Sequence, residues 1–328
     1  KQVLRALAEH CEDDNEREKL MFLSSRTVGS KIYEKFVLSQ GLTFVELLHF
    51  FPSCKPPAER LLTLLPRLPP RFYSVASSQL AGKNRLSIAF SVVSNVSESG
   101  IRRNGLCTTW LEKTLFGSNI SEISVPIFLR PTKEFYLPGS DEWPCILVGP
   151  GTGVAPFIGF LEHKNERLKR QNGKNMEISS GCWRGGFDIE NEELDPVEGE
   201  FQQRRNGETW LFFGCRSLED WIFKEEMDFF SKVEGVLSRL ECALSRTGPE
   251  KIYVQHLMEK NGKKLASLLL EKGAYLYLCG DGKTMAQQVH ATLVRILVRH
   301  GPSLNEQKAE AVLREMKERR RYVLDVWS

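Results

Sequence analysis

Several short runs of this chain carry residue types at spacings that could do chemistry. Arg71-Phe72-Tyr73-Ser74 is followed by Val75-Ala76-Ser77-Ser78. Alternate residues of a strand share a face, so this run could present a cation to a pyrophosphate, an aromatic face to a ring system and a small hydroxyl to a redox nitrogen. Those are the needs of a flavin. An ordinary barrel strand with a surface Arg and Tyr accounts for the same residues. In Gly105-Leu106-Cys107-Thr108-Thr109-Trp110-Leu111 a glycine and two threonines precede an apolar helical pattern. The N–H groups of a helix N-terminus can hold a diphosphate there, although a capped helix without a ligand reads the same way.

Gly149-Pro150-Gly151-Thr152-Gly153-Val154-Ala155-Pro156-Phe157 lies between the apolar run Cys145–Val148 and a helix expected to end near His163. Gly151, Thr152 and Gly153 would let the backbone approach a dinucleotide at the carboxyl edge of a parallel sheet. The pattern is neither a Walker loop nor the usual GxGxxG. Ser245-Arg246 and then Lys251-Ile252-Tyr253-Val254-Gln255 supply a hydroxyl, two cations and a phenol after a strand. That set suits a terminal phosphate monoester, with Tyr253 able to stack on a base; a solvated strand end is the plainer reading. Tyr277-Leu278-Cys279-Gly280-Asp281-Gly282 ends a strand at a cysteine and turns over the expected crevice. Asp325-Val326-Trp327-Ser328 places a tryptophan where chain ends usually fray, so an aromatic ligand is the favoured reason for holding it.

The elements that must position these residues follow from the patterning. Residues 1–65 read as helical, with Val3, Leu4, Leu7 and Ala8 on one face and Phe44, Val45, Leu47, Leu48 and Phe51 in a second stripe. Pro52, Pro56 and Pro57 stop that helix, and Leu61, Leu62, Leu64 and Leu65 mark another before Pro66. From Arg71 the period changes: Phe72–Ala76, Leu86–Val93 and Val125–Leu129 predict a small antiparallel barrel. Cys145–Val148, Trp210–Phe213 and Ala274–Leu278 repeat a strand-then-helix grammar, which predicts a parallel α/β sheet. Residues 172–208, with Glu190, Glu192, Glu193, Asp195, Glu198 and Glu200, predict a disordered acidic surface loop, with an acidic docking segment as the alternative.

Composition excludes some classes. A net charge of +3 with no basic–aromatic stripe argues against nucleic acid. No apolar run approaches the roughly 20 residues that span a bilayer. Eight cysteines with no CxxC pair form neither a disulfide framework nor a zinc site, which points to reduced thiols in a cytosolic protein and to no metal. The chain opens at Lys1 and reads as a fragment.

In this order the runs resemble the diflavin reductases, and the resemblance covers essentially the whole chain. It implies a ferredoxin–NADP reductase-like architecture: a helical connecting domain over residues 1–66, a partial FAD-binding antiparallel barrel over 67–143, and an NADPH-binding α/β domain over 144–328. It implies that Arg71, Phe72, Tyr73 and Ser74 bind FAD, with Ala89, Phe90 and Ser91 contacting it from the next strand and Gly105, Leu106, Cys107 and Thr108 holding its pyrophosphate. Gly151, Thr152 and Gly153 would meet the NADPH diphosphate, and Ser245, Arg246, Lys251, Tyr253 and Gln255 its 2′-phosphate end. Gln288 stands where the family often has an acidic residue, which puts one NADPH contact in doubt. Ser74, Cys279 and Asp325 match the family's hydride-transfer cluster, and Trp327 its terminal aromatic over the flavin ring.

The resemblance further implies that FMN sits on a domain outside this chain, and that the first barrel strands lie upstream. Phe51-Pro52-Ser53-Cys54-Lys55-Pro56-Pro57, Leu65-Pro66-Arg67-Leu68 and the cysteine in Gly105-Leu106-Cys107-Thr108 look like the branch that serves a corrinoid-dependent methionine synthase. The Ser245-to-Lys251 spacing, Tyr253-Val254-Gln255-His256 and the Leu324–Ser328 end look equally like the branch that serves a cytochrome P450. The first branch is preferred, with a cytoplasmic location; a non-catalytic dinucleotide-binding scaffold is the rival of a different class.

Overall fold

The computed structural model describes residues 1–82, 84–97, 100–117, 123–179 and 206–327. Contacts divide the chain into two compact units, residues 1–72 with 90–126 and residues 73–89 with 127–328.

The first unit opens with the helices α1 (Gln2–Ala8), α2 (Asp14–Ser24), α3 (Ser30–Tyr33), α4 (Phe44–Phe50) and α5 (Ala58–Leu64), with one wider π-helical turn at Glu34–Leu38. Local chemistry sets their ends. Asp13 accepts from the Glu16 N–H at the start of α2, and Thr43 with Glu46 forms a reciprocal capping box on α4. Leu4, Leu7, Leu20, Leu23, Leu47 and Phe51 build the core of this unit. The expected stripe on α4 is narrower than the sequence implied. Val45 is 62% exposed, because a residue adjacent to Phe44 sits about 100° round the helix from it. Leu62 is likewise exposed on α5.

Beyond α5 come β1 (Ser94–Val96) and β2 (Arg102–Asn104), an antiparallel pair, and α6 (Leu106–Gly117). The expected barrel strands Phe72–Ala76 and Leu86–Val93 are not strands; they meet in a single Val75–Ile88 bridge, and the β1–β2 pair lies outside the expected runs. Val125–Leu129 is irregular and not a strand. Pro126 removes a ladder donor within that run, and Ile127, Phe128 and Leu129 are exposed.

The second unit follows a strand–helix alternation: β3 (Cys145–Pro150), a tight turn Gly151–Val154, α7 (Ala155–Ser179), β4 (Thr209–Cys215), α8 (Lys224–Phe230), β5 (Arg239–Leu244), α9 (Val254–Lys260), α10 (Gly262–Leu270), β6 (Tyr275–Asp281), α11 (Met285–His300), α12 (Glu306–Glu318) and β7 (Tyr322–Trp327). Among the described residues the strands form one parallel sheet in the order β5-β4-β3-β6-β7. The order reverses beside β3, so the carboxyl ends of β3, β4 and β6 flank a topological switch point, where open α/β sheets bind ligands. Both faces are covered, and the central strands are therefore apolar throughout. Ile146, Val148, Phe212, Leu276 and Leu278 pack on one side, and Leu147, Phe157, Leu211, Phe213 and Tyr277 on the other.

One helix of this unit differs from its sequence-based outline. The helix expected to stop near His163 continues to Ser179, since Leu161, Lys164, Asn165 and Leu168 prolong its packed face. Residues 172–179, expected as loop, continue that helix in backbone. The glutamates and the aspartate between Glu190 and Glu200 lie outside the described residues.

Candidate active site

The carboxyl edge of the parallel sheet brings together Ser74, Cys279 and Asp325. Register alone pairs Cys279 on β6 with Asp325 on β7, and Asp281 with Trp327. The Cys279 Sγ stands 3.7 Å from Asp325 Oδ2, and the Ser74 hydroxyl donates to that same oxygen at 2.8 Å. Ser74, Cys279 and Asp325 are thus one cluster. Burial and the neighbouring Asp325 carboxylate push the Cys279 thiol well above its ordinary range, so it stays neutral. Asp325 and Trp327 share a face of β7, and Trp327 is about half exposed. Its carbonyl accepts from the Gly282 N–H at 2.8 Å, which fixes the end of β7 to the turn after β6.

Ser74 arrives on a segment that has no regular structure of its own apart from one bridge. Its neighbours hold it. The Ala76 N–H donates to Ser87 O at 2.7 Å, and the Ser78 N–H donates to Glu162 Oε2 on α7 at 2.6 Å. Arg85 closes the same anchor by an ion pair with Glu162. A Cβ on Gly159 of α7 would lie 3.3 Å from Ser77 N, Ser77 O and Val75 O, so the missing side chain lets this segment lie against the helix.

The turn after β3 is equally tight. A Cβ on Gly149 would fall 2.5 Å from Gly153 O, and one on Gly153 would fall 2.2 Å from Cys279 O. The turn therefore packs directly on the end of β6. Gly151 differs: it has φ +57° and nothing within 4 Å of its Cβ direction, so it borders open space. Thr152 is half-buried beside it.

Past β5, Ser245 donates through its N–H to Cys215 O at 3.0 Å and through its hydroxyl to the same oxygen at 3.3 Å. The Arg246 N–H donates to Arg216 O at 2.8 Å, which brings two guanidinium-bearing residues to one edge. Lys251 and Tyr253 are exposed, and Tyr253 caps α9 with its ring 5.9 Å from that of His256. Gln255 on α9 donates to Gln288 Oε1 on α11 at 3.0 Å, so the residue that departs from the family pattern pairs with another candidate.

Sequence reasoning gave no binding role to two residues. Arg216 follows β4 as Arg246 follows β5, and that repeat of strand-then-arginine was a readable signal. Asp281 accepts from the N–H groups of Lys283, Thr284 and Met285, bonds that hold its carboxyl below the usual range.

In the first unit, Gly105 donates to Val93 O at 2.7 Å, and the Val93 N–H donates to Thr108 Oγ1 at 3.1 Å. A Cβ on Gly105 would lie 2.7 Å from both Thr108 Oγ1 and Val93 Cβ. The Thr109 hydroxyl in the first turn of α6 is buried without a partner. Arg71 is exposed and donates to Pro69 O, and Phe72 is 56% exposed. The division between units falls after Phe72 and after Ala89. Arg71, Phe72, Phe90, Ser91 and Gly105–Thr108 belong to the first unit, and Tyr73, Ser74 and Ala89 to the second.

Residues 1–110 match the FAD binding domain family, and residues 147–291 match the oxidoreductase NAD-binding domain family. Aligned whole, the chain is 38% identical to methionine synthase reductase of Bos taurus, over 100% of this chain and 46% of that protein. It is 36% identical to NADPH–cytochrome P450 reductase of Bos taurus, over 99% of this chain and 43% of that one. Methionine synthase reductase of Homo sapiens is 35% identical over 100% of this chain and 45% of its own length. Over its whole length the chain is similar to the diflavin reductases. It spans a little under half the length of the curated relatives it matches.

The chain therefore carries FAD-binding and NAD-binding oxidoreductase domains of the ferredoxin–NADP reductase-like class. Its residues fit both groups. The unpartnered Thr109 hydroxyl at the α6 N-terminus suits a phosphate oxygen in the first unit. In the second unit, Gly151 leaves unfilled space at the sheet edge where a dinucleotide's phosphates would approach.

Proposed function

We propose that this chain is the electron-entry part of an NADPH-dependent flavoprotein reductase, and that the electrons pass by way of an FMN domain to a corrinoid-dependent methionine synthase. One observation carries the reading of the chemistry: Ser74, Cys279 and Asp325 converge on a single carboxylate oxygen at the carboxyl edge of the sheet. The 38% identity to a methionine synthase reductase supports the acceptor. The 36% identity to a P450 reductase favours a haemoprotein acceptor as the second reading.

The flavin, when bound, takes two electrons from a nicotinamide and can release them singly, which nicotinamide cannot do. The chain supplies position and charge. Asp325 is the one anion of the cluster, placed to stabilise positive charge that grows on a pyridine ring. Ser74 orients that carboxylate, and the neutral Cys279 thiol packs beside it without adding a second charge. Arg246 and Lys251, with Ser245, Tyr253 and Gln255, are our candidates for the 2′-phosphate end, and Arg216 joins them. Gly151, Thr152 and Gly153 receive the diphosphate. Arg71, Phe72, Tyr73, Ala89, Phe90, Ser91 and Gly105–Thr108 are our candidates for FAD. Trp327 is our candidate for covering the site and moving aside for the nicotinamide, a gating step of the kind that often limits turnover. The division into a helical segment 1–66, an FAD segment 67–143 and an NADPH domain 144–328 belongs to the same reading, as does a cytoplasmic location. No helix among the described residues is long and apolar enough to cross a membrane.

The test uses the purified chain. It should be yellow after incubation with FAD and should reduce ferricyanide with NADPH much faster than with NADH. A colourless chain inactive with both would favour the dinucleotide-binding scaffold.

A further inference from the structure

Away from the candidate site, two cysteines face each other inside the helical part of the first unit. Cys11 follows α1 and Cys54 follows α4, and they are partners in one antiparallel bridge. The flanking backbone groups make its hydrogen bonds: the Lys55 N–H donates to His10 O at 3.0 Å and the Glu12 N–H to Ser53 O at 3.3 Å. Cys11 and Cys54 are therefore the non-hydrogen-bonded pair, the arrangement in which Cα atoms lie about 4.5 Å apart and side chains approach most closely. Disulfides span Cα separations of about 4.4–6.8 Å, so the bridge already meets that requirement. The sulfurs converge as well. Cys54 Sγ is 3.1 Å from Leu7 O, and Cys11 Sγ is 3.7 Å from the same oxygen. Two thiols thus compete for one carbonyl in a core otherwise built of Leu4, Leu7, Leu20, Leu47 and Phe51.

We propose that Cys11 and Cys54 form a modification site, a thiol pair that closes to an intramolecular disulfide and ties the segment after α1 to the segment after α4. With oxidised glutathione as oxidant, the two S–H groups give up two protons and two electrons. One protein S–S bond forms, the glutathione S–S bond breaks, and two molecules of glutathione leave. The cross-link closes a loop that holds α2, α3 and α4, which constrains the unfolded chain more than the folded one. Reaction requires a thiolate. Burial and the neighbouring Cys11 push the Cys54 thiol up to about 12, and both residues are under 7% exposed. Exchange must therefore wait for local opening of the helical part. The pair responds to sustained oxidation and ignores brief pulses.

The experiment brings the whole chain to equilibrium in glutathione buffers from fully reduced to fully oxidised. Equilibrium is approached both from reduced chain and from chain oxidised before refolding, and acid quench, alkylation and peptide mapping follow. The expected result is a Cys11–Cys54 linked peptide from both directions at the oxidised end. The helical part's unfolding midpoint should then rise by about 5 °C or more, a rise absent from Cys11→Ser and Cys54→Ser. The proposal is overturned if both cysteines remain singly alkylated at the oxidised end, or if each is joined to glutathione or to another cysteine.

Discussion

Ser74 and Asp325 lie 251 positions apart, and the hydroxyl of one donates to the carboxylate of the other at 2.8 Å. The contact is made by an irregular segment and an edge strand, neither of which is held by the other's sequence neighbourhood. Asp325→Asn keeps the shape and removes the charge. Flavin reduction by NADPH, followed by stopped flow, should slow at least about 10-fold with little change in KM, as for loss of a group that acts on developing charge. Ser74→Ala should slow it less. An Asp325→Asn chain with wild-type rates would remove Asp325 from the chemistry.

Arg246 tests the nucleotide end. A charge-assisted bond is worth about 1.5–3 kcal/mol, so Arg246→Ala should raise KM for NADPH by about 10–100-fold while KM for NADH stays within about 2-fold. Equal losses with both nucleotides would move Arg246 off the 2′-phosphate. The same pair of measurements on Arg216→Ala will show whether its guanidinium serves that phosphate or the diphosphate.

Trp327 is half exposed and anchored through its carbonyl. Trp327→Ala should raise NADH-driven ferricyanide reduction markedly and leave FAD content unchanged. A ratio of NADH to NADPH rates identical to that of the wild type would dispose of the gating role.

Gly153 allows no side chain, since a Cβ would meet the backbone oxygen of Cys279 at 2.2 Å. Gly153→Ala should destabilise the α/β unit by about 2–4 kcal/mol in urea titration, because neither backbone can yield cheaply. Gly151→Ala meets no atom, but its φ of +57° is strained for any side chain, and its cost should be nearer 1 kcal/mol.

The buried Cys145 and half-buried Cys242 thiols contribute to stability against alkali. Burial raises Cys145 from the ordinary 9.0 to about 11, and raises Cys242 to about 12. The folded chain thus keeps protons that the unfolded chain releases. Their contribution is complete below about pH 9 and disappears as pH rises through the folded values. Thermal midpoints should fall between pH 9 and 11, and Cys145→Ala should flatten that decline. A midpoint independent of pH over this window would contradict the assignment.

Much of this was legible in the residues. The α/β grammar is carried by continuous apolar runs, and a parallel sheet buried on both faces leaves no other reading of Cys145–Val148 or Trp210–Phe213. The Gly149–Gly153 turn was readable from its three glycines, of which Gly149 and Gly153 are required by close backbone packing and Gly151 by its positive φ. Other features were hidden for physical reasons. Trp327 was read as held by an aromatic ligand, and that Tyr322–Trp327 is a strand follows only from its pairing with β6. The Gln255–Gln288 bond joins two helices whose meeting no local pattern encodes. Val125–Leu129 has strand-like residue types, but Pro126 interrupts it and no described strand lies alongside.

The position of β7 at the sheet's edge has a consequence for synthesis and turnover. Its neighbours can pair without it, so a chain clipped just before Leu324 could still fold most of its α/β half and occupy a cell's pool of nucleotide. Such a chain would lack Asp325 and Trp327, and the hydroxyl of Ser74 would point at water.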